Sequence, residues 1–167
     1  MTERNNPTKH DTATTAPDAL AARLIGGEIN LAEYVGLKRE QLYAIAQVGY
    51  QFYLSGKIEE ARDIYRGLVA ADPFDSVFHC HLAAAYHRLG ELDKAFDEYT
   101  ESLRFNVANQ EALAGRGEIH LQRASIPEAL SDLRAAIELD PESKRATTLR
   151  ARAVLFAVKE ALKREGQ

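Results

Sequence analysis

An all-α solenoid of three stacked helix-turn-helix units, with a helical extension before it and one capping helix after it, is the fold predicted by this 167-residue sequence. Three observations predict it. Gly56 and Gly90 lie 34 residues apart; Ala61, Ala95 and Ala129 repeat that step; and Pro73 and Pro141 are two such steps apart. A fixed period of this length means that each unit is one supersecondary element, which cannot bury its apolar face alone and does so by stacking on its neighbours.

Taken in order, residues 1–17, MTERNNPTKHDTATTAP, are polar and Thr-rich and read as a disordered tail. Asp18 is placed to cap a short helix through Leu24 that Gly26-Gly27 stops, and Asn30 can start another turn through Tyr34, so 18–41 form an N-terminal helical extension. Three repeats follow over 42–141, as 42–75, 76–109 and 110–141. Their eighth position is Gly49, Ala83 and Gly117, and their twentieth is Ala61, Ala95 and Ala129. A small residue on each helix of a hairpin lets the two backbones approach, and a larger one would overpack the crossing by about 1–3 kcal/mol. Phe52, Tyr86 and His120, then Tyr65, Tyr99 and Leu133, recur where the helices need bulk, and read as core.

The turns repeat as well. Asp75, Asn109 and Ser143 share a column just before a helix, and all three are good N-cap residues. Gly56 and Gly90 end the first helix of their hairpins in the left-handed conformation; the third unit has Ala124 there and then Ser125-Ile126-Pro127-Glu128, a capping-box pattern, so its turn is expected to differ. Val107 stands where the other units have Pro, and Arg116 where an apolar residue is expected. After Pro141 a lone helix over about Glu142 to Arg164 is predicted, with Leu149, Val154, Leu155, Val158 and Leu162 as its buried stripe. Residues 142–167 would cap the stack, the KEALKREGQ end turning a polar face to water.

This period, the paired small columns and the proline after the last turn resemble the tetratricopeptide repeat, whose units bind other polypeptides far more often than they catalyse. The bulk numbers agree. A net charge of −4 argues against nucleic acid, which wants a basic footprint, and there is no apolar run long enough to insert in a membrane. The N-terminus lacks the apolar core of a secretory signal, so a cytoplasmic location is expected. Cys80 is the one cysteine and has no internal partner.

In such a stack the first helix of each hairpin lines the concave side. The groove is therefore expected at Tyr43, Ala46, Gln47, Tyr50, Tyr53 and Leu54 of the first repeat. The second contributes Val77, Cys80, His81, Ala84, His87 and Arg88, and the third Glu111, Ala114, Gly115, Glu118, Leu121 and Gln122. Tyr supplies broad amphipathic contact at low rotamer cost, and Ala and Cys leave room for a partner's side chains. The alternative is that Tyr50 or Tyr53 packs on the N-terminal extension. Tetratricopeptide proteins that clamp acidic C-termini place Lys, Asn and basic residues where this chain has Ala46, Tyr50, Glu111 and Gly115, so that ligand is not expected. His79, Cys80, His81 and His87 crowd one helix but offer no i, i+3 or i+4 pair, so no metal is expected. No phosphate-binding loop, dinucleotide fingerprint or zinc-protease motif is present, and neither a cofactor nor an enzyme activity is expected.

Two stretches carry a narrower likeness. GGEINLAEYVGLKREQLYAIA and YQFYLSGKIEEARDIYRGLVAADPFDS resemble the class II chaperones of bacterial type III secretion. The elements are Gly26-Gly27, a helix from Leu31 to Gln41, the Tyr50-Phe52-Tyr53-Gly56 spacing, Leu68, and the turn from Asp72 to Asp75. The resemblance covers about residues 20 to 141. It implies custody of hydrophobic secreted translocator proteins, held by a short extended segment with spaced Pro and Leu anchors in the concave groove. Tyr50 and Tyr53 match the aromatic groove residues of the first repeat, with Tyr43 in a looser part of the match. It also implies, in some members, a homodimer through the N-terminal helices or assistance to a transcriptional activator. The third unit and the two prolines are nearer the general repeat, and a general adaptor or assembly scaffold is the other reading.

Overall fold

The computed structural model describes residues 16–165, and among them every regular element is a helix. The helices are α1 (Ala16–Ile25), α2 (Leu31–Tyr34), α3 (Arg39–Leu54), α4 (Ile58–Ala71), α5 (Ser76–Arg88), α6 (Leu92–Phe105), α7 (Gln110–Gln122), α8 (Ile126–Glu138) and α9 (Ala146–Glu165). Three hairpins, α3/α4, α5/α6 and α7/α8, stack in sequence through α4 on α5 and α6 on α7, and α9 closes the end against α8 and α7. Successive first helices also touch, α3 with α5 and α5 with α7, which puts them on one side of the stack.

The small columns make the crossings. Ala61, Ala83, Ala95 and Ala129 have no exposed surface. A Cβ on Gly49 would sit 3.0 Å from Ile64 and Tyr65, and one on Gly117 3.0 Å from Leu133. Tyr65, Phe78, Ile119 and Leu133 are the large fully buried apolar side chains that fill the space between. Asp75 caps α5 through the backbone N–H of Val77 (2.8 Å), and Asn109 caps α7 through that of Ala112 (3.2 Å).

Several expectations are corrected. Residues 1–15 of the expected tail lie outside the described residues, but 16 and 17 are already helical, so Asp18 sits inside α1 rather than capping it. Asn30 does cap α2, reciprocally with Glu33. The helix expected from Leu31 to Gln41 is broken at Gly36, whose φ of +75° ends α2; the backbone N–H of Leu37 then closes on the Ala32 carbonyl at 2.8 Å. Helix α3 therefore starts at Arg39, three residues before the assigned start of the first repeat.

The third hairpin turn is not different. Ala124 takes φ +57° where Gly56 and Gly90 take +80° and +77°. The closing bond is the same in all three, from the backbone N–H of Lys57, Glu91 and Ser125 to the carbonyls of Phe52, Tyr86 and His120 at 2.9, 3.0 and 2.9 Å. The capping box of Ser125 does not form, since its side chain makes no cap bond.

Ser143 is not an N-cap either. It adopts φ +56°, and the Asp140 carboxylate accepts from the backbone N–H groups of Lys144 and Arg145 and from the Thr148 hydroxyl. Helix α9 consequently begins at Ala146, not Glu142. Its buried contacts are Thr148 and Ala151, with Val154, Leu155 and Val158 half-buried; the predicted stripe residues Leu149 and Leu162 are exposed, as is Phe156. Arg116 is accommodated by a two-pronged pair with Asp132 at 2.7 and 2.9 Å.

Candidate functional site

The side formed by α3, α5 and α7 is concave and holds two adjoining cavities. The smaller, about 290 Å³, lies between α3 and α5 and is bordered by Tyr43, Ala46, Gln47, Tyr50, Val77, His81 and Glu111. The larger, about 500 Å³, is bordered by Tyr50, Tyr53, Cys80, His81, Ala84 and His87, and on its far side by Glu111 and Glu118. Tyr50, His81 and Glu111 border both, so the two are one groove with a shared waist. Thirteen of the eighteen residues expected on the groove border these cavities. Leu54 does not: it is the last residue of α3, and its side chain is exposed beyond the groove's end. Ala114 and Gly115 do not either, being buried in the core, nor do Leu121 and Gln122 in the last turn of α7.

The sequence reading missed three lining residues: Tyr99, Thr147 and Arg150. Tyr99 belongs to the core column, yet its ring also reaches the larger cavity because Gly115 leaves it room; a Cβ on Gly115 would fall within 2.6 Å of the ring. Thr147 and Arg150 come from α9, and Arg150 donates to Glu118 at 2.7 Å, tying the capping helix to the groove wall. Ala151 lies 34 residues after Gly117 in the small column and is wholly buried, while Thr147 and Arg150 of the same helix reach the cavity.

The aromatic residues are fixed by their neighbours. The His81 imidazole stacks on Tyr65 (5.0 Å between centroids, 13° between planes), with Tyr50 tilted beside it at 5.9 Å. Burial pushes the His81 and His87 pKa values down, so both rings are neutral at pH 7. The Tyr65 hydroxyl donates to the Ala46 carbonyl (3.1 Å), and the Tyr43 hydroxyl donates to Asp75 (2.9 Å), which Arg39 also reaches at 3.3 Å. Arg88 lies over the Tyr53 ring at 5.5 Å. Among the described residues α1 and α2 pack on each other and α2 on α4, and neither helix borders the cavities at Tyr50 and Tyr53.

The cysteine and histidines of α5 face different surroundings. Cys80 is buried and its thiol pKa is pushed up by burial, which leaves it a poor nucleophile. His79 points away from the groove, with Nδ1 2.6 Å from the Glu98 carboxylate and Nε2 2.9 Å from the Pro73 carbonyl. Among the described residues no helix is long and apolar enough to cross a membrane.

The tetratricopeptide repeat family pattern matches residues 40–74. The low calcium response locus protein H of Yersinia pseudotuberculosis is 33% identical over 129 residues, which cover 75% of this chain and 73% of that protein. The translocator chaperone SycD of Yersinia enterocolitica superimposes with a TM-score of 0.68 at 27% identity, covering 77% of this chain and 98% of that one. PcrH, solved in complex with the chaperone-binding region of PopD, superimposes with a TM-score of 0.67 at 26% identity, over 75% of this chain and 96% of that one.

Proposed function

This chain belongs to the low calcium response locus protein H family of tetratricopeptide chaperones, and from that premise we propose that it binds an extended segment of hydrophobic type III secretion translocators in the groove of α3, α5 and α7. Binding keeps those proteins soluble and competent for secretion. The observation that carries the reading is a continuous concave groove, walled by Tyr50, Tyr53 and Tyr99 and floored by Ala46, Cys80 and Ala84, that no other part of the described chain fills. PcrH was solved with the chaperone-binding region of PopD, and its fold matches over 75% of this chain.

The groove acts without a catalytic group. Its aromatic residues are already held in place by Tyr65, Asp75 and Arg88, so the ordering cost falls on the cargo. Three apolar anchors buried at about 1.5–3 kcal/mol each give roughly 5–9 kcal/mol gross. Ordering an unfolded segment removes about 2–5 kcal/mol of that, which leaves micromolar binding or weaker for a short peptide. Tighter custody requires a longer wrapped segment. The same reading places the protein in the bacterial cytoplasm, ahead of export. It also includes self-association through the N-terminal helices, whose Ile25, Leu31 and Val35 are exposed.

Affinity capture from the native cytoplasm, comparing wild type with a Tyr50→Ala, Tyr53→Ala variant, tests the proposal. It predicts recovery of a protein with long apolar segments, lost in the variant while far-UV helicity is retained. Recovery of soluble assemblies only, equal in both, would refute it.

A further inference from the structure

Resting on the groove reading above, we infer that the cargo segment presents a lysine or arginine to Glu111, between an apolar anchor in the smaller cavity and another in the larger. Glu111 is at the waist, bordering both cavities, and its side chain is exposed. Among the described residues its carboxylate has neither an ion-pair partner nor a hydrogen-bond donor, unlike the other carboxylates nearby. Glu118 is taken by Arg150 at 2.7 Å, and Asp75 by Tyr43 and Arg39. Arg88, the other cation on the groove, lies over the Tyr53 ring. The side chains sharing the waist with Glu111 are Tyr50 and His81, neither of them a cation.

Water satisfies this carboxylate while the groove is empty. An occupant that covers the waist removes that water, and a covered carboxylate without a counter-charge is strongly disfavoured. A cationic side chain from the occupant removes the penalty and adds a charge-assisted hydrogen bond. The carboxylate thus acts as a filter as well as an attraction, because an acidic or purely apolar residue at that point of the segment is rejected. Glu111 also sits in the first turn of α7, where an acid favours the helix dipole. That role alone would give no selectivity among cargoes, which is what the experiment separates.

The probe is a panel of fluorescein-labelled, C-amidated ten-residue peptides with two leucines two to five residues apart and one lysine, glutamine or glutamate between them. Binding is read by fluorescence anisotropy to the full chain in low and high salt. The inference predicts that, for at least one leucine spacing, the lysine peptide binds about tenfold more tightly than the glutamine peptide, with the glutamate peptide weakest. The lysine preference shrinks in high salt and falls to within about twofold in a Glu111→Gln variant with unchanged far-UV helicity. Equal binding of the three peptides, or a lysine preference that survives Glu111→Gln, overturns the inference; if the Tyr50→Ala, Tyr53→Ala variant still loses those peptides, the groove reading stands. Binding that this double variant leaves intact overturns the groove reading and the inference with it, as does failure of every peptide in the panel to bind.

Discussion

Alanine in place of glycine should have opposite effects at two helical positions of this chain. Gly67 is exposed within α4, and a Cβ there would meet nothing within 4 Å. Gly115 is buried within α7, and a Cβ there would enter the Tyr99 ring, 2.6 Å from Cε2. Both substitutions gain the same intrinsic term, about 1 kcal/mol for replacing a mid-helix glycine. Only Gly115→Ala also incurs overpacking, and the atoms it meets belong to a buried ring that cannot swing away, which places the cost near the upper part of about 1–3 kcal/mol. The difference between the two variants isolates that packing contribution at about 2–3 kcal/mol. At about 2–4 °C per kcal/mol for a chain of this size, Gly67→Ala should raise Tm by about 2–4 °C and Gly115→Ala lower it by about 2–8 °C. Urea and thermal unfolding followed by far-UV circular dichroism read both. If both variants raise Tm equally, Tyr99 is not packed on Gly115, and the wall assigned to the larger cavity is wrong.

Two further outcomes follow from the backbone and the charges. Ala124→Gly relieves a left-handed alanine at φ +57° and should stabilise by about 0.5–1 kcal/mol, seen as a higher urea midpoint, whereas Gly90→Ala should destabilise by a similar amount; a neutral or destabilising Ala124→Gly would contradict the shared turn. His79 lies between two oxygen acceptors: burial pulls its pKa down, but the bonds to Glu98 and the Pro73 carbonyl outweigh it, and the net shift is upward. A raised folded-state pKa adds stability that is complete below the unfolded value of about 6.5 and is lost as pH rises through the folded value. Wild type should therefore lose more Tm than His79→Gln between pH 6 and pH 8.5, and equal losses would show that the pair carries no proton linkage.

The fold was legible because its period is written in residues with little choice. The crossings at Gly49, Ala61, Ala83, Ala95, Gly117 and Ala129 admit only small side chains, and Asp75 and Asn109 satisfy helix amides that would otherwise lack partners. Its irregularities were less legible because they depend on competition between neighbours. Ser143 lost the cap to Asp140, whose carboxylate reaches two amides and the Thr148 hydroxyl at once. Ser125 lost its capping box because the left-handed residue before it leaves its ψ at 71°, as at Lys57 (69°) and Glu91 (64°), rather than in the extended range that aims a hydroxyl at the helix. The groove was read well from α3 and α5, where repeat position sets direction. It was read poorly at α9, whose Arg150 and Thr147 reach the wall from outside the three repeats, and at Tyr99, where a glycine on another helix decides how far a core ring reaches.

The central claim is that cargo lies on the concave face of the first helices. Site-specific photocrosslinking tests it directly, with benzoylphenylalanine in place of Gln47, exposed on that face, or of Arg66, exposed on α4. Irradiation in the native cytoplasm should crosslink the Gln47 position, and not the Arg66 position, to a protein with long apolar segments. A crosslink from Arg66 with none from Gln47 would place the cargo on the outer helices and contradict the account.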